Sequence, residues 1–497
     1  MWRMIMGVIG LALLGATPAR AEWRRAESPN FVLIGDLPES ALRERILLLE
    51  DFDRLLRIIT PGEEEPAPSK LHIYLVSGHA ALTTVRDVQP GIDGVYTAST
   101  DGIVAVVDDS DPAAGNQILF HEYSHHFMMQ NSTVIYPAWF VEGFAEYFAT
   151  VRFGNRRIDI GTPSRGWIYR LQQGSWLPME RMLSAGPLGL NEDGLDAYYG
   201  ESWLLVHYFY SNPQRQAALN RLLTALRRQP PAEAVNAAMG MGLDGLTREL
   251  RNYIGGTSLA YRQMVKPDVA PPPVTVTVMP ASASAMILYE AALRAGMSAA
   301  RGAAYLPQVR AAAARYPDDP LAMRVLADIE LRFGDGAVAD RLLDRLLAAT
   351  PNDAELLYLK GLRWLIAAQG ANPPPQALAT ARQWFGRAQR ADQNRFQTFY
   401  RYAQSMRGER EYLSDNTSNA LLLAHQLAPQ VKSITLEAAS VLIARHEYRE
   451  AIALLTPLSF DPHNMSIAQS ARDLIARAQG AAATATPPAA AATPAGN

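Results

Sequence analysis

The sequence predicts an α+β domain followed by an α-helical repeat domain, and three observations carry this prediction. Near the amino terminus, short apolar runs alternate with an amphipathic helical pattern, which is typical of a small sheet covered by helices. A segment rich in Pro, Val, Thr and Ser at 266–285 then interrupts the chain. Beyond it, Pro317 and Pro351 lie 34 residues apart between helical patterns, which is typical of stacked helix pairs.

Length and composition agree with a globular chain of more than one domain. The 497 residues are 48% hydrophobic and 19% charged, which excludes wholesale disorder. The formal net charge of −3 gives no electrostatic reason to expect nucleic acid or an anionic membrane as a partner. Cysteine is absent from the sequence, which excludes disulfides, cysteine catalysis and thiolate metal sites. Any metal must therefore be held by His, Asp or Glu.

We expect residues 1–21 to be a signal peptide. Arg3 provides a basic start, Met4–Leu14 an apolar stretch, and Ala19–Ala21 a cleavage site of the A-x-A type. The apolar stretch is shorter than the roughly 20 residues that a membrane-spanning helix needs, although an uncleaved anchor is the alternative. No later segment resembles a membrane span. The mature chain is thus predicted to start at Glu22 and to be periplasmic or secreted.

Residues 22–265 are predicted to form the α+β domain. After Pro38, Leu42, Ile46 and Leu49 begin an apolar stripe at helical spacing. Asp101-Gly102 between two apolar runs predicts a hairpin. The predicted elements are, in order, a strand at 30–35, a helix ending near Ile59, a strand at 71–76, hairpin strands at 94–98 and 103–108, helices at 116–130 and 138–152, and mostly helices over 155–265.

Residues 286–479 resemble a degenerate tetratricopeptide array of about four helix pairs, separated from the first domain by a linker at 266–285. Ala327, Gly334 and Ala339 fall where this repeat places small residues at helix crossings, and Pro351 falls at its closing proline. The proline run at 372–375 interrupts the period, so an irregular helical bundle is the alternative. The low-complexity tail at 480–497 is predicted to be disordered.

One helix of the first domain carries an H-E-x-x-H motif, His121-Glu-Tyr-Ser-His125. The two histidines are four residues apart, so both imidazoles project from one face and can bind one zinc ion. Glu122 lies at the edge of that face, where it can take a proton from water. Apolar neighbours such as Phe120 and Phe127 favour a buried helix over the alternative, a surface helix with two unrelated histidines.

The following helix supplies two acids, Glu142 and Glu146. They are four residues apart and therefore share a face, and aromatic neighbours such as Trp139 and Phe144 indicate that this face is buried. One acid can complete a His₂Glu site that leaves a fourth position for water. The other acid can accept a hydrogen bond from the second ring nitrogen of a ligand histidine, the one that does not bind the metal.

The two motifs HEYSH and WFVEGFAEY resemble those of the gluzincin zinc metallopeptidases, and most of all the peptidase MA-like domains. The resemblance implies a zincin-like fold and a Zn²⁺ cofactor. It implies that His121, His125 and Glu142 are the zinc ligands and Glu122 the general base, with Glu146 as the supporting acid. The 16 residues between His125 and Glu142 are fewer than in the best-known members of the clan.

A third helix is similar to the tyrosine-bearing helix of aminopeptidase-like members of the clan. It contains Tyr199-Gly-Glu-Ser, and the resemblance implies that a tyrosine donates a hydrogen bond to the reaction's oxyanion. Tyr199 is the candidate and Tyr198 the second choice, while two ordinary core tyrosines are the alternative. His126 and His207 are expected to be packed histidines. The resemblance also implies that the strand at 94–97 pairs with substrate backbone.

These observations predict an exported zinc peptidase whose helical repeats recognise a protein. Its substrate would be a protein or peptide, and a further protein partner would bind the repeats. An inactive metalloprotease-like scaffold that acts through its repeats is the alternative, although the complete set of base and ligands disfavours it. A zinc hydrolase acting on a non-peptide amide would use the same residues.

Overall fold

The computed structural model describes residues 22–60, 69–89, 92–131, 136–187, 189–256, 259–459 and 464–484. The predicted signal peptide at 1–21 lies outside these residues, as does most of the predicted tail. In the described part of the chain, no helix is long and apolar enough to cross a membrane.

The amino-terminal half contains two sheets. The strands are β1 (Arg24–Glu27), β2 (Phe31–Gly35), β3 (Leu71–Val76), β4 (Gly94–Ala98), β5 (Ile103–Asp108), β6 (Arg152–Phe153), β7 (Arg157–Ile160), β8 (Arg262–Val265) and β9 (Thr275–Val278). Six of them form a mixed sheet in the order β4-β5-β3-β2-β1-β9, and β6, β7 and β8 form a small antiparallel sheet. Strands β2, β3 and β5 are parallel, whereas β4 is antiparallel to β5 and lies at an edge.

Within the described residues of the first half of the chain, ten helices surround these sheets. They are α1 (Glu39–Ile59), α2 (His79–Val85), α3 (Pro112–Asn131), α4 (Ala138–Ala149), α5 (Arg165–Gln173), α6 (Met179–Ser184), α7 (Glu192–Tyr210), α8 (Pro213–Ala225), α9 (Pro231–Met239) and α10 (Leu243–Ile254). The predicted strand-helix-strand start, the hairpin and the two motif-bearing helices thus all occur, with α3 starting four residues earlier than predicted and α4 ending three residues earlier.

Both faces of the large sheet are covered, which explains the continuous apolar runs of its central strands. On β2, Phe31 and Leu33 point into the core shared with α1 and α3. Val32 and Ile34 point to the opposite face, where Ile287 of the second half of the chain is part of the same cluster. The amino-terminal sheet is therefore sandwiched between its own helices and the start of the helical array.

The second half of the chain is a series of helices that pack consecutively. They are α11 (Ala283–Arg294), α12 (Ala299–Ala313), α13 (Pro320–Phe333), α14 (Gly336–Ala349), α15 (Ala354–Ala368), α16 (Ala377–Ala391), α17 (Phe396–Gln404), α18 (Asp415–Leu427), α19 (Lys432–Ala444), α20 (Tyr448–Leu458) and α21 (Met465–Thr484), with a 3₁₀ turn at Arg410–Leu413. In the described residues these eleven helices are 9 to 20 residues long and each packs against the next, so the array is longer than the array of about four pairs that the sequence predicts.

The structure differs from the predicted linker at 266–285. Residues Thr275–Val278 form β9, which pairs antiparallel with β1 and so completes the large sheet. The alternating Val and Thr residues suit a strand, and β1 would otherwise present an unpaired edge. Helix α11 also begins at Ala283, inside the predicted linker. At the other end, α21 continues to Thr484 and so enters the segment predicted to be disordered.

The two halves of the chain share packing and polar contacts. In addition to the apolar contact with α11, the tip of the β4–β5 hairpin is held by the helical array. Asp101 Oδ1 accepts hydrogen bonds from Arg332 Nη1 on α13 at 2.8 Å and from Arg401 Nη2 on α17 at 2.9 Å. The side chain of Gln397 donates to the backbone oxygen of Asp101. The helical array, which the sequence predicts to bind a protein partner, thus also contacts the β4–β5 hairpin of the chain's own sheet.

Candidate metal centre

Helix α3 is fixed against α1, and this orients its motif. Phe120 stacks on Phe52 with ring centroids 4.1 Å apart, and the Tyr123 hydroxyl donates to Asp53 Oδ1 at 2.6 Å. Both contacts use the side of α3 that faces α1. The histidines of the motif project from another side, toward α4 and α7.

Three predicted ligand atoms converge between α3 and α4. Nε2 of His125 lies 3.1 Å from Nε2 of His121. Oε2 of Glu142 lies 3.6 Å from His125 Nε2 and 3.9 Å from His121 Nε2. Among the residues that the structure describes, these side chains form the one group of three His or acidic residues close enough to share a metal ion.

The separations fit a small tetrahedral ion. With bonds of about 2.0–2.2 Å, the corners of a tetrahedral zinc site lie about 3.3–3.6 Å apart. Two imidazole nitrogens and one carboxylate oxygen are also a donor set that zinc accepts in catalytic sites. The residues present therefore fit a zinc ion in both spacing and chemistry.

The buried position of Glu142 follows from the close packing of α4 against α7. A Cβ atom on the adjacent Gly143 would lie 2.2 Å from the backbone oxygen of Ser202 on α7, so only glycine permits this approach. The Glu142 side chain is 1% exposed, and aromatic neighbours on α4 such as Trp139 and Phe144 are buried around it. The packing of α4 against α7 thus holds the Glu142 carboxylate next to the two histidines of α3.

Glu146 occupies a different position from Glu142. Its Oε1 lies 3.4 Å from Nδ1 of His121, on the side of the imidazole opposite to the ligand nitrogen. The structure therefore brings both acids to His121, one at each ring nitrogen. Trp167 also reaches this group, because its indole N–H donates to Glu146 Oε2 at 2.9 Å. Nothing in the sequence pattern singles out Trp167, which follows Glu146 by 21 residues and belongs to no motif.

Negative charge is concentrated around His121. Burial lowers the pKa of this histidine, but nearby carboxylates outweigh burial and hold its pKa above the usual value. The carboxylates are those of Glu146, Glu122 and Glu142, in decreasing order of effect. Such a field attracts a cation to the imidazole, whether a proton or a metal ion.

Glu122 faces the same space from α3. Burial raises the pKa of Tyr96 on β4, and the charge of Glu122 raises it further. Burial also raises the pKa of Tyr199 on α7, and Glu122 is the smallest of three carboxylates that add to this effect. Glu122 is thus within electrostatic range of the edge strand β4 and of α7.

The two candidate tyrosines are placed differently. Burial raises the pKa of Tyr199, and the charges of Glu142, Glu146 and Glu122 raise it further. Tyr199 is partly exposed, whereas Tyr198 is fully buried, and burial followed by Glu142 raises the pKa of Tyr198. Tyr199 is therefore within electrostatic range of all three acids of the site and is partly exposed, whereas Tyr198 is not.

The remaining histidines near the site have other partners. Nε2 of His207 hydrogen-bonds the backbone oxygen of Gly161 at 3.1 Å, and its Nδ1 hydrogen-bonds the Tyr253 hydroxyl at 2.8 Å. Nδ1 of His126 hydrogen-bonds the Tyr96 hydroxyl at 3.0 Å, and burial lowers the pKa of His126 to about 3. Both act as packed, neutral histidines, as the sequence predicts.

Comparisons with known proteins concern the fold. No family model matches the sequence, and no curated protein matches it. A thermophilic TPR protein of Thermus thermophilus, 18% identical, matches 39% of this chain and 100% of its own with a TM-score of 0.33. Yeast Tom70, 12% identical, matches 70% of each chain with a TM-score of 0.30. The helices α11–α21 form the α-helical array that the sequence predicts after the first domain, and its tetratricopeptide-like character stays a prediction.

Proposed function

We propose that the chain is an exported, zinc-dependent peptidase. The observation that carries the proposal is the convergence of His121, His125 and Glu142 on one point, within a motif that also supplies Glu122. Two imidazole nitrogens and a carboxylate oxygen at this spacing form a His₂Glu ligand set of the kind found in catalytic zinc sites. Export rests on residues 1–21, which have the pattern of a signal peptide.

The protein supplies the ligands and the base. Zinc held by His121, His125 and Glu142 would polarise the scissile carbonyl and lower the pKa of water at the fourth position. Glu122 accepts the proton of the attacking water and passes it to the leaving amine nitrogen. Glu146, at Nδ1 of His121, favours the tautomer whose Nε2 is free to bind the metal.

Tyr199 is the residue we assign to oxyanion stabilisation. Its raised pKa keeps the phenol protonated, so it can donate a hydrogen bond. Tyr199 is partly exposed, whereas Tyr198 is fully buried in the core, which supports Tyr199 as the tyrosine that reaches a substrate. The role of the tyrosine itself follows from the resemblance to aminopeptidase-like enzymes.

The proposal assigns protein recognition to the helices α11–α21. Stacked helix pairs present long surfaces suited to a protein or an extended peptide. Since α13 and α17 hold the β4–β5 hairpin, we expect a partner on helices such as α14 and α16, which have exposed sides.

Glu122→Gln tests the proposed reaction. We expect the full chain to cleave members of a peptide library and the variant to lose hydrolysis by at least 10²-fold while its zinc content stays unchanged, because Glu122 moves a proton and does not bind the metal. Glu44→Gln, at an exposed position on α1, serves as the matched control. Near-normal turnover in Glu122→Gln would contradict the mechanism, and a zinc-loaded wild type that cleaves no peptide would contradict the peptidase.

A further inference from the structure

Three side chains form a row that ends at the proposed metal ligand. The indole N–H of Trp167 donates to Glu146 Oε2 at 2.9 Å. The second oxygen of the same carboxylate, Oε1, lies 3.4 Å from His121 Nδ1. The other nitrogen of His121 faces His125 and Glu142. Trp167 is thus connected to the ligand cluster by a hydrogen bond to Glu146.

Three contacts fix the backbone that leads to Trp167. Gly161, before α5, adopts φ +68°, and a Cβ there would lie 2.1 Å from the ring of Tyr147, so glycine is required for the turn. The Thr162 hydroxyl donates to the backbone oxygen of Thr150 at the end of α4, at 2.6 Å. Ser164 caps α5 by accepting from the backbone N–H of Trp167 itself. These contacts return the chain to α4 and hold the indole over Glu146.

We propose that Trp167 is a positioning residue for the metal centre. A glutamate side chain has several rotatable bonds, and a donor on Oε2 holds the carboxylate so that Oε1 faces His121 Nδ1. An indole donates one hydrogen bond and carries no charge, so it fixes Glu146 without neutralising it as Lys or Arg would. The charge of Glu146 then remains available to the imidazole, where it favours a metal-binding Nε2.

This inference rests on the proposed zinc site, and its test reads zinc affinity in the full chain. Trp167→Phe removes the donor and keeps an aromatic ring. We expect it to weaken zinc binding about 10-fold in competition with a chelator, the low end of the range for losing such support. Trp176→Phe is the matched control, because the Trp176 indole donates to the backbone oxygen of Leu171, away from Glu146. We expect zinc affinity in this control to stay at the wild-type value.

A double-mutant cycle separates positioning from a general packing effect. If Trp167 acts through Glu146, Trp167→Phe has no further effect on zinc affinity once Glu146→Ala is present. Replacing Trp167 by its sulphur isostere, benzothienylalanine, removes the N–H alone and should reproduce the loss, which keeps the test valid should Trp167→Phe misfold. Wild-type zinc affinity in the isostere variant, or an equal loss with and without Glu146, would overturn the inference.

The outcomes also separate this inference from the peptidase proposal. A wild-type chain that binds no zinc would overturn both. A chain that binds zinc, shows the coupling between Trp167 and Glu146, and cleaves no peptide would support the positioning role while contradicting the peptidase.

Discussion

Glu201 is a fully buried acid on α7, two residues beyond Tyr199. Its Oε1 accepts a hydrogen bond from the backbone N–H of Leu177 at 2.7 Å. Burial raises its pKa to about 8, although the Leu177 bond and the charge of Arg251 act in the opposite direction. The folded chain therefore keeps a proton on Glu201 at pH values where the unfolded chain has released it.

This difference predicts a pH-dependent stability. The folded-state pKa lies above the unfolded value of 4.5, so the stability associated with protonated Glu201 is complete below pH 4.5 and is lost as the pH rises toward about 8. Glu201→Gln keeps an acceptor for Leu177 and does not titrate. We expect its free energy of unfolding, relative to wild type, to increase between about pH 5 and about pH 8 in urea titrations.

The exposed Glu44 on α1 provides the control for this prediction. Glu44→Gln should leave the pH dependence of wild type unchanged. A Glu201→Gln difference that is constant across the pH range would show that Glu201 has an ordinary pKa in the folded chain.

Among the elements, the β4–β5 hairpin connects the site to the helical array. Tyr96 on β4 contacts His126 of α3, while the Gln430 side chain, just before α19, donates to Gln130 Oε1 at 2.5 Å. At the tip, Asp101 is held by two guanidinium groups and is 15% exposed. Burial alone would raise the pKa of Asp101, but the two arginines hold it below its usual value.

We expect Asp101→Asn to destabilise the whole chain by about 3 kcal/mol, because it leaves two largely buried guanidinium groups without their shared carboxylate. Chemical unfolding followed by circular dichroism measures this loss. The control is Asp87→Asn, since Asp87 also pairs with an arginine of the array, Arg301 at 3.4 Å, but is 98% exposed. Its loss should change stability little. Equal stabilities for both variants would contradict a structural role for the hairpin contact.

The sequence predicts some elements of this fold well because their signals are local. Residues four apart share one face of a helix, so the pairs His121–His125 and Glu142–Glu146 can be predicted without knowledge of the tertiary structure. The strand β9 was missed because its Val-Thr alternation lies among prolines and its partner β1 is about 250 residues away. Trp167 was missed for a related reason, since its approach to Glu146 depends on a turn and not on periodicity.

For the whole molecule, the main departure from the sequence prediction is the relation between the two halves. Composition indicates separate domains joined by a linker, whereas the structure shows apolar packing and buried ion pairs between the two halves, and the predicted linker adds strand β9 to the amino-terminal sheet. Removal of 286–497 would expose this surface, including the face of β5 that carries Val104 and Val106. Variants of the intact chain are therefore the appropriate tests of the site.

The central claim is that His121, His125 and Glu142 hold one zinc ion, and that Glu146 strengthens zinc binding through its contact with Nδ1 of His121. Zinc titration of the full chain, compared with Glu142→Ala and Glu146→Ala, tests it most directly. Wild type should bind one zinc per chain, and Glu142→Ala should be nearly metal-free because it loses a ligand. Glu146→Ala should fill only with excess zinc, with affinity about 10–100-fold weaker. Full zinc occupancy in Glu142→Ala, or a greater loss in Glu146→Ala, would contradict this account of the site.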